Sequence, residues 1–514
     1  MSKALNMDKL SRYLVKHRIR IIWILLLLAI IVDRAILLHH FTLQYLDDDQ
    51  AIMWNGALEY SKGNFFEPYF FGQTYNTMLE SLLAIPLIKM GFSYAFSLTF
   101  IMSLLTLLPF ALASSHYLSR KNFNASLVIL CIPLLLPPEF GMLTAISRGA
   151  ICGIFIAFFG IYFHLKEAKG KFFFFSFFSF LALVANPNSI LLIFPFGVIY
   201  LYRYYKQLPF YIYSLLGAII PLSLGWLAGN FYKIHPEYVV HRSWALNFEL
   251  SRIVPAKWYL LFGDITPLFW YTGLALFPIL LLFVFIGKKQ KNNPFVLAVS
   301  ALTLLIFVAI TCNKVHDGID SVFYSSGRMF LAIPLVLALF LSELRIGKTV
   351  MLILVLAATT SFTIKLFYTE KAVQREVSSD KAHNMFVIKI DVLKAKCAKL
   401  KRRAKETNAE LIVVHHSIPE KHLLNYACPC LIKNLPHMIE PELDRRTWKL
   451  KAIDHTIFKN ILVVGINQAE IDLKLKNYPD YKIFTDTLLT VGIFNNQLPT
   501  ELLLQKIGFP MRNH

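Results

Sequence analysis

Apolar runs of helix length recur along the first 369 residues, separated by short polar turns. They predict spans near 20–40, 94–117, 125–138, 146–166, 172–185, 188–202, 208–229, 267–287, 294–312, 328–344 and 349–367. At about 1.5 Å rise per residue, roughly 20 residues cross the hydrocarbon core of a bilayer, so eleven such runs predict an α-helical polytopic membrane protein. Inside lipid every backbone polar group needs an internal partner, which leaves helices or closed barrels. These runs lack the two-residue alternation of barrel strands, so helices are expected throughout.

The pattern changes near residue 370. Charged helical stretches there alternate with β-rich runs at Leu411–Val414, Ile461–Val464 and Tyr481–Phe484. This predicts a small α/β domain over 370–514 beside a membrane domain over 1–369. It carries no glycine-rich phosphate loop and no catalytic elbow, so an accessory lid or acceptor-docking module is the expectation. No internal repeat marks the membrane half, which weighs against a transporter built from inverted halves.

Charge sets the orientation. The formal net charge is +20, but the basic residues gather in short turns at Arg120-Lys121, Lys166 to Lys171, Arg203 to Lys206, Lys288 to Lys291 and Arg345 to Lys348. All five fall on the side of the basic N-terminus (Lys16, His17, Arg18, Arg20), which the positive-inside rule assigns to the cytoplasm. That explains the basic balance through the membrane and leaves no call for nucleic acid. An odd number of spans then puts loops 46–93, 230–266 and 313–327, and the C-terminal domain, outside the cytoplasm. The run from Lys394 to Lys405 reads as a solvated helix face, with contact to anionic headgroups or an acidic glycolipid as the alternative. Cys131, Cys152 and Cys312 lie in apolar segments and pack as small hydrophobes. Cys397, Cys428 and Cys430 are available for a disulfide if the tail is extracytoplasmic, and their spacing is a weak metal signal.

Candidate chemistry concentrates in loop 46–93, which opens with Asp47-Asp48-Asp49. Three adjacent carboxylates repel one another and raise one another's proton affinity, so such a cluster binds a cation, moves a proton or caps a helix. The loop continues through Gln50-Ala51, Ala57, Gly63, the run Phe70-Phe71-Gly72-Gln73-Thr74-Tyr75, and Leu79-Glu80. This pattern, about 50 residues long, resembles the GT-C class of polytopic glycosyltransferases, in the bacterial branch similar to the lipid A aminoarabinose transferases and protein O-mannosyltransferases. There an Asp-Glu-Ala element follows the first helix and a GQxY…LE stretch leads into the next. Gln50 stands here where the family's second acidic residue is expected, which leaves Asp48 or Asp47 to substitute.

The resemblance implies transfer of a sugar from a polyprenyl-phosphate donor to a hydroxyl of a lipid, polysaccharide or protein, at the outer face of a bacterial inner membrane. Glycosyl transfer needs a carboxylate to take the acceptor proton as the anomeric centre becomes oxocarbenium-like. Asp49 is the expected base, with Asp48 second and Asp47, Gln73, Tyr75 and Glu80 around the substrate. The departing phosphate gains negative charge and calls for arginine. Arg148 and Arg328 stand where outer loops enter spans, the latter resembling the family's Arg-Tyr…Pro element with Met329 in place of the aromatic residue. Either arginine fits a snorkelling anchor as well. Glu139 is a second candidate carboxylate, for orienting the sugar or binding a divalent cation. No other cofactor is implied.

Weaker candidates are Asp33-Arg34 as an internal ion pair or an interface anchor, Lys257-Trp258 as an interfacial anchor or a substrate contact, and His235, His241, Arg242, His316, Asp317 and Asp320 as pocket-shaping residues. His415-His416 read as loop residues. The rival class is a flippase or transporter of lipid-linked saccharides, which needs no acids clustered beside one helix end. A non-catalytic envelope scaffold is the third reading.

Overall fold

The structure is a computed structural model. It describes residues 2–240, 247–253, 276–316, 322–323, 326–379, 386–442, 444–476, 478, 481–485 and 490–509, and side chains from residue 18 onward other than those of Arg252, Ile253, Lys314, His316 and Ser326. His241, Arg242, Lys257, Trp258, Asp317 and Asp320 lie outside the described residues.

Each of the eleven apolar segments contains a helix: α1 (Ser2–His40), α4 (Tyr94–Ser119), α5 (Phe123–Leu135), α7 (Ala150–Leu165), α8 (Lys171–Ala185), α9 (Ile190–Tyr204), α10 (Leu208–Ile234), α11 (Leu276–Lys289), α12 (Asn293–Thr311), α13 (Ile333–Glu343) and α14 (Lys348–Val377). The first outer loop adds α2 (Asp48–Ser61) and α3 (Leu79–Lys89), and α6 (Pro138–Ala145) follows α5. Among the described residues five helices are individually long and apolar enough to cross a bilayer: α1 from Arg18, α4, α10, α12 and α14. Their outer faces carry exposed large apolar side chains such as Leu25, Leu215, Trp226, Leu304 and Phe367, as a lipid-facing surface requires.

The expected span at 125–138 is α5, and the loop expected after it holds a further helix, α6. α5 stops before Pro137-Pro138, and α6 leaves it at 87°. Proline lacks an amide donor and disfavours helix in the residue before it, so this pair ends one helix and starts another. The turn carries the chain sideways into the segment bearing Arg148.

Contacts tie all five basic turns to one end of the bundle. Arg120 pairs with Glu167 at 3.5 Å and Arg203 with Glu343 at 3.0 Å. Asn124 Nδ2 donates to the Ile346 carbonyl at 2.8 Å, and the Arg345 amide donates to Gln290 Oε1 at 3.1 Å. Trp23, early in the apolar stretch of α1 that begins at Arg18, donates to Ser114 Oγ, late in α4. α1 therefore runs from this basic end to the other, where the acidic loop begins.

Asp33 and Arg34 do not pair with each other. Asp33 meets Lys365 of α14 at 2.5 Å. Arg34 donates to Ser103 Oγ, Thr144 Oγ1 and the carbonyls of Gly141 and Thr144 at 2.7–3.0 Å. Both charges thereby tie α1 to its neighbours, as a buried polar group in a bilayer must be tied.

The C-terminal unit is built on a five-stranded sheet of order β4-β3-β5-β7-β6, with β3 (Leu411–Val414), β4 (His437–Ile439), β5 (Asn460–Gly465), β6 (Lys482–Thr485) and β7 (Thr490–Asn495). β4, β3 and β5 are parallel, whereas β7 pairs antiparallel with both β5 and β6. Side chains alternate across the strands and both faces are covered. Leu411, Val413, Ile461 and Val463 pack with Ile453, Ile471 and Leu503 on one side. On the other side Ile412, Val414, Leu462 and Val464 pack with α15 (Ile390–Glu406) and α16 (Lys421–Leu431). That second core continues into the first outer loop through Ala51, Trp54, Phe70 and Met78. A short antiparallel pair, β1 (Tyr45–Leu46) with β2 (Ile388–Lys389), adds a second link. The unit is thus packed onto the acidic loop itself. Cys397 and Cys428 form a disulfide joining α15 to α16, with Cys430 free.

Candidate active site

α2 begins at the acidic run because Asp47 caps it: Oδ1 accepts the Gln50 amide at 2.8 Å, and Asp48 and Asp49 occupy the first turn, where the helix dipole favours negative charge. Lys62 and Gly63 close the helix, their amides bonding to the Glu59 and Tyr60 carbonyls. The Gly72-Gln73 turn that follows has a local cause. Gly72 has φ +77°, and a Cβ there would lie 2.9 Å from Val240 Cβ and 3.1 Å from Arg445 Cβ. Its amide donates to Glu67 Oε2, which also accepts from the Tyr232 hydroxyl. The Gln73 amide bonds to the Phe70 carbonyl, and the Phe70 amide to the Asn76 carbonyl. The turn therefore faces Gln73, Tyr75 and Asn76 toward the acids.

These residues line one cavity of about 370 Å³. Asp47, Asp48, Asp49, Gln73 and Tyr75 come from the first outer loop, Arg148 from the α6–α7 connection and Arg328 from the short helix Ser326–Phe330. Leu143, Ile146, Ile151, Met329 and Leu331 supply an apolar wall. Seven of the nine expected site residues thus share one crevice, at the end of the bundle opposite the basic turns.

Ion pairing divides the three acids. Arg148 Nη2 lies 2.7 Å from Asp47 Oδ2, and its Nε 3.4 Å from Asp49 Oδ2. Another Arg148 nitrogen donates to the Phe323 carbonyl. Asp47 is buried and doubly committed, as helix cap and arginine clamp. Burial raises its proton affinity, and the Arg148 charge opposes that rise. Asp48 is mostly buried, and its Oδ1 has no hydrogen-bond partner among the described residues. Burial, then the charges of Asp47 and Asp49, push its pKa well above the usual carboxylate range against a weaker pull from Arg445. Asp49 keeps 27% side-chain exposure and is flanked on its other oxygen by Arg445 Nη1 at 3.4 Å.

Two expected residues lie elsewhere. Glu139 is ion-paired with Arg375 of α14 at 2.5 Å, away from the cavity. Glu80 is fully buried beneath the cavity, against the backbone at Gly149 and Cys152 where α7 begins, with neither oxygen in a regular hydrogen bond. Burial raises its pKa to about 7. Gly149, at φ +80° with a Cβ position 3.0 Å from the Thr77 carbonyl, closes that junction. Glu80 therefore packs against the segment that holds Arg148 and does not line the cavity.

Sequence reading missed Asn76, Asn186 and Arg445, which all line the cavity. Asn186 Nδ2 donates to Asn76 Oδ1 at 2.6 Å, and its own Oδ1 accepts the Asn188 amide. The Asn186-Pro187 pair after an apolar run was the available signal. Arg445 had none in its own neighbourhood. Among the described residues no cluster of three His, Cys, Asp or Glu side chains has metal-holding geometry. His415, expected as a loop residue, is buried against Glu470 and Ser417.

No protein-family model matches the chain, and no curated protein sequence matches it. Two solved structures do. The crystal structure of ArnT from Cupriavidus metallidurans bound to undecaprenyl phosphate aligns with a TM-score of 0.60 at 10% identity, covering 92% of this chain and 98% of that one. The apo structure of the same protein aligns at 0.57, again at 10% identity, covering 92% and 97%. The chain accordingly has the polytopic membrane fold of ArnT, the aminoarabinose transferase of the GT-C class.

Proposed function

We propose that this chain is a membrane glycosyltransferase that takes a sugar from a polyprenyl-phosphate donor and passes it to a hydroxyl of a lipid, polysaccharide or protein on the outer face of a bacterial inner membrane. The observation that carries this reading is the single cavity in which three consecutive carboxylates meet Arg148 and Arg328. The ArnT fold, solved in that protein with undecaprenyl phosphate, supports a lipid-phosphate donor. The basic turns at the far end support a cytoplasmic N-terminus, and the Cys397–Cys428 disulfide supports an oxidising compartment for the C-terminal unit.

In this reading the acceptor oxygen attacks the anomeric carbon and the carbon–oxygen bond to phosphate breaks, its electron pair leaving on the phosphate oxygen. The hydroxyl proton passes to a carboxylate. Asp49 is that base, because it is 27% exposed at the cavity, whereas Asp47 caps the helix and Asp48 buries its Oδ1. Asp48 beside it holds its proton to higher pH and exchanges with it. Arg148 and Arg328 neutralise the departing phosphate, and Gln73 and Tyr75 hydrogen-bond the sugar. Asp47 sets the position of Arg148, and Glu80 braces it from below.

The test is transfer by the purified full chain in liposomes, with the sugar and acceptor first identified by mass spectrometry of envelope glycans with and without the protein. Asp49→Asn should abolish transfer while the unfolding midpoint holds. Unchanged product formation by that variant would return the flippase reading.

A further inference from the structure

Arg445 belongs to the C-terminal unit, yet it lines the same cavity as Asp49. It follows β4, at the carboxyl end of the parallel strands, where α/β sheets commonly present ligand-binding groups. Its neighbours hold it there firmly. Its amide receives no freedom from the loop, because it donates to the Tyr426 hydroxyl at 2.7 Å. Tyr426 and Arg446 in turn grip the buried Asp444, with Arg446 Nε and Nη2 at 2.8 and 2.6 Å from its two oxygens. α16, which carries Tyr426, shares a core with α2, which carries Asp49. The guanidinium rests over the Phe70 ring at 5.9 Å and reaches Asp49 Oδ1 at 3.4 Å. Asp49 thus lies between two guanidiniums, Arg148 on one oxygen and Arg445 on the other.

We propose that the C-terminal unit completes the active site by supplying Arg445 as a phosphate-binding cation, which pairs with Asp49 until a polyprenyl phosphate monoester competes for it. The inference rests on the glycosyltransferase reading above and adds a residue that the membrane helices do not carry. A phosphate dianion is a stronger partner for a guanidinium fork than a single carboxylate. The donor's phosphodiester carries one charge. Breaking its bond to the anomeric carbon releases the monoester dianion, which draws Arg445 and Arg148 off Asp49 and leaves that carboxylate to hold the acceptor's proton. This makes the C-terminal unit a part of the catalytic apparatus.

The test measures binding of undecaprenyl phosphate, and of undecaprenol as the phosphate-free control, to the full chain in detergent. Arg445→Gln should weaken undecaprenyl phosphate binding tenfold or more, and Arg445→Lys should recover part of the loss. Asp49→Asn should tighten binding several-fold, since it removes the competing anion. Arg402→Gln, which deletes an exposed charge on α15, should bind as wild type does. Undecaprenol binding should be the same in all variants, with unfolding midpoints confirming the fold. Arg445→Gln binding undecaprenyl phosphate like wild type would overturn the role of Arg445 alone. Wild-type protein that fails to distinguish undecaprenyl phosphate from undecaprenol would sink the donor assignment and this inference together.

Discussion

Asp444 and Asp48 are both carboxylates withdrawn from water beside arginine, and they respond in opposite ways. Burial alone would raise both. At Asp444 the Arg446 guanidinium, bonded to both oxygens, and the Asn425 amide at 2.7 Å outweigh burial and hold the pKa below the usual carboxylate range. At Asp48 the nearest charges are two more carboxylates, Arg445 is only a partial counterweight, and the pKa rises well above that range. The first cluster is closed and satisfied, which suits a hinge-free support. The second sets Asp48, whose Oδ1 has no hydrogen-bond partner among the described residues, between two more acids and opens on a cavity, as groups that move protons do. Arg445, the residue after Asp444, joins the two.

The sharpest way to break this comparison is to neutralise the open side. Asp49→Asn should reduce turnover by about 10²–10⁴-fold, the usual contribution of a positioned base, without shifting the unfolding midpoint. A loss of fold instead would show that the acidic row is structural like Asp444.

On the closed side, Arg446→Ala should cost about 3–5 kcal/mol, because it strands the fully buried Asp444 charge. Denaturant unfolding of the full chain measures it, and adding Asp444→Asn should restore a large part. A small effect would mean that the network is no more essential than a surface pair.

Glu80 tests the brace beneath Arg148. Its pKa is about 7 when folded, above the ordinary glutamate value, so the folded state binds the extra proton. Its stabilising contribution is full below the unfolded pKa of roughly 4.3 and is lost as pH rises through about 7. The whole change is at most about 4 kcal/mol. Glu80→Gln should therefore flatten the fall in unfolding midpoint between pH 5 and 8, and an unchanged pH profile would remove Glu80 from that role.

The smallest effect belongs to the turn that aims Gln73. Gly72→Ala forces a side chain into a left-handed position against Val240 and should cost about 1–2 kcal/mol. Activity should fall with it if the turn orients the substrate contacts, and a neutral result would uncouple turn and site.

Legibility differed by element for physical reasons. Each apolar segment that hydropathy marked contains a helix, since helix in lipid is a local consequence of a long apolar run. Among the described residues five of these helices are long and apolar enough to cross a bilayer. Hydropathy left α6 in a loop, because the 87° bend at Pro137-Pro138 depends on how the two pieces pack. Asp47, Asp48, Asp49, Gln73 and Tyr75 were readable because they sit in one loop with a recognisable spacing. Glu139 was misread because its position beside an outer loop gave no sign of Arg375, more than 200 residues on. Arg445 was invisible for the same reason in reverse: nothing around it in sequence resembles a site, and only packing of α16 on α2 brings it to Asp49.

The chain's own order of residues determined where helices form, which end of them gathers positive charge, and which loop holds the acids, because each follows from nearby side chains meeting lipid, water or one another. Tertiary structure alone decided which acid is clamped and which stays open, where Arg148, Arg328 and Arg445 converge, and that the C-terminal unit reaches the cavity. Those outcomes depend on burial and on charges that are neighbours in space while being 100 to 400 positions apart along the backbone.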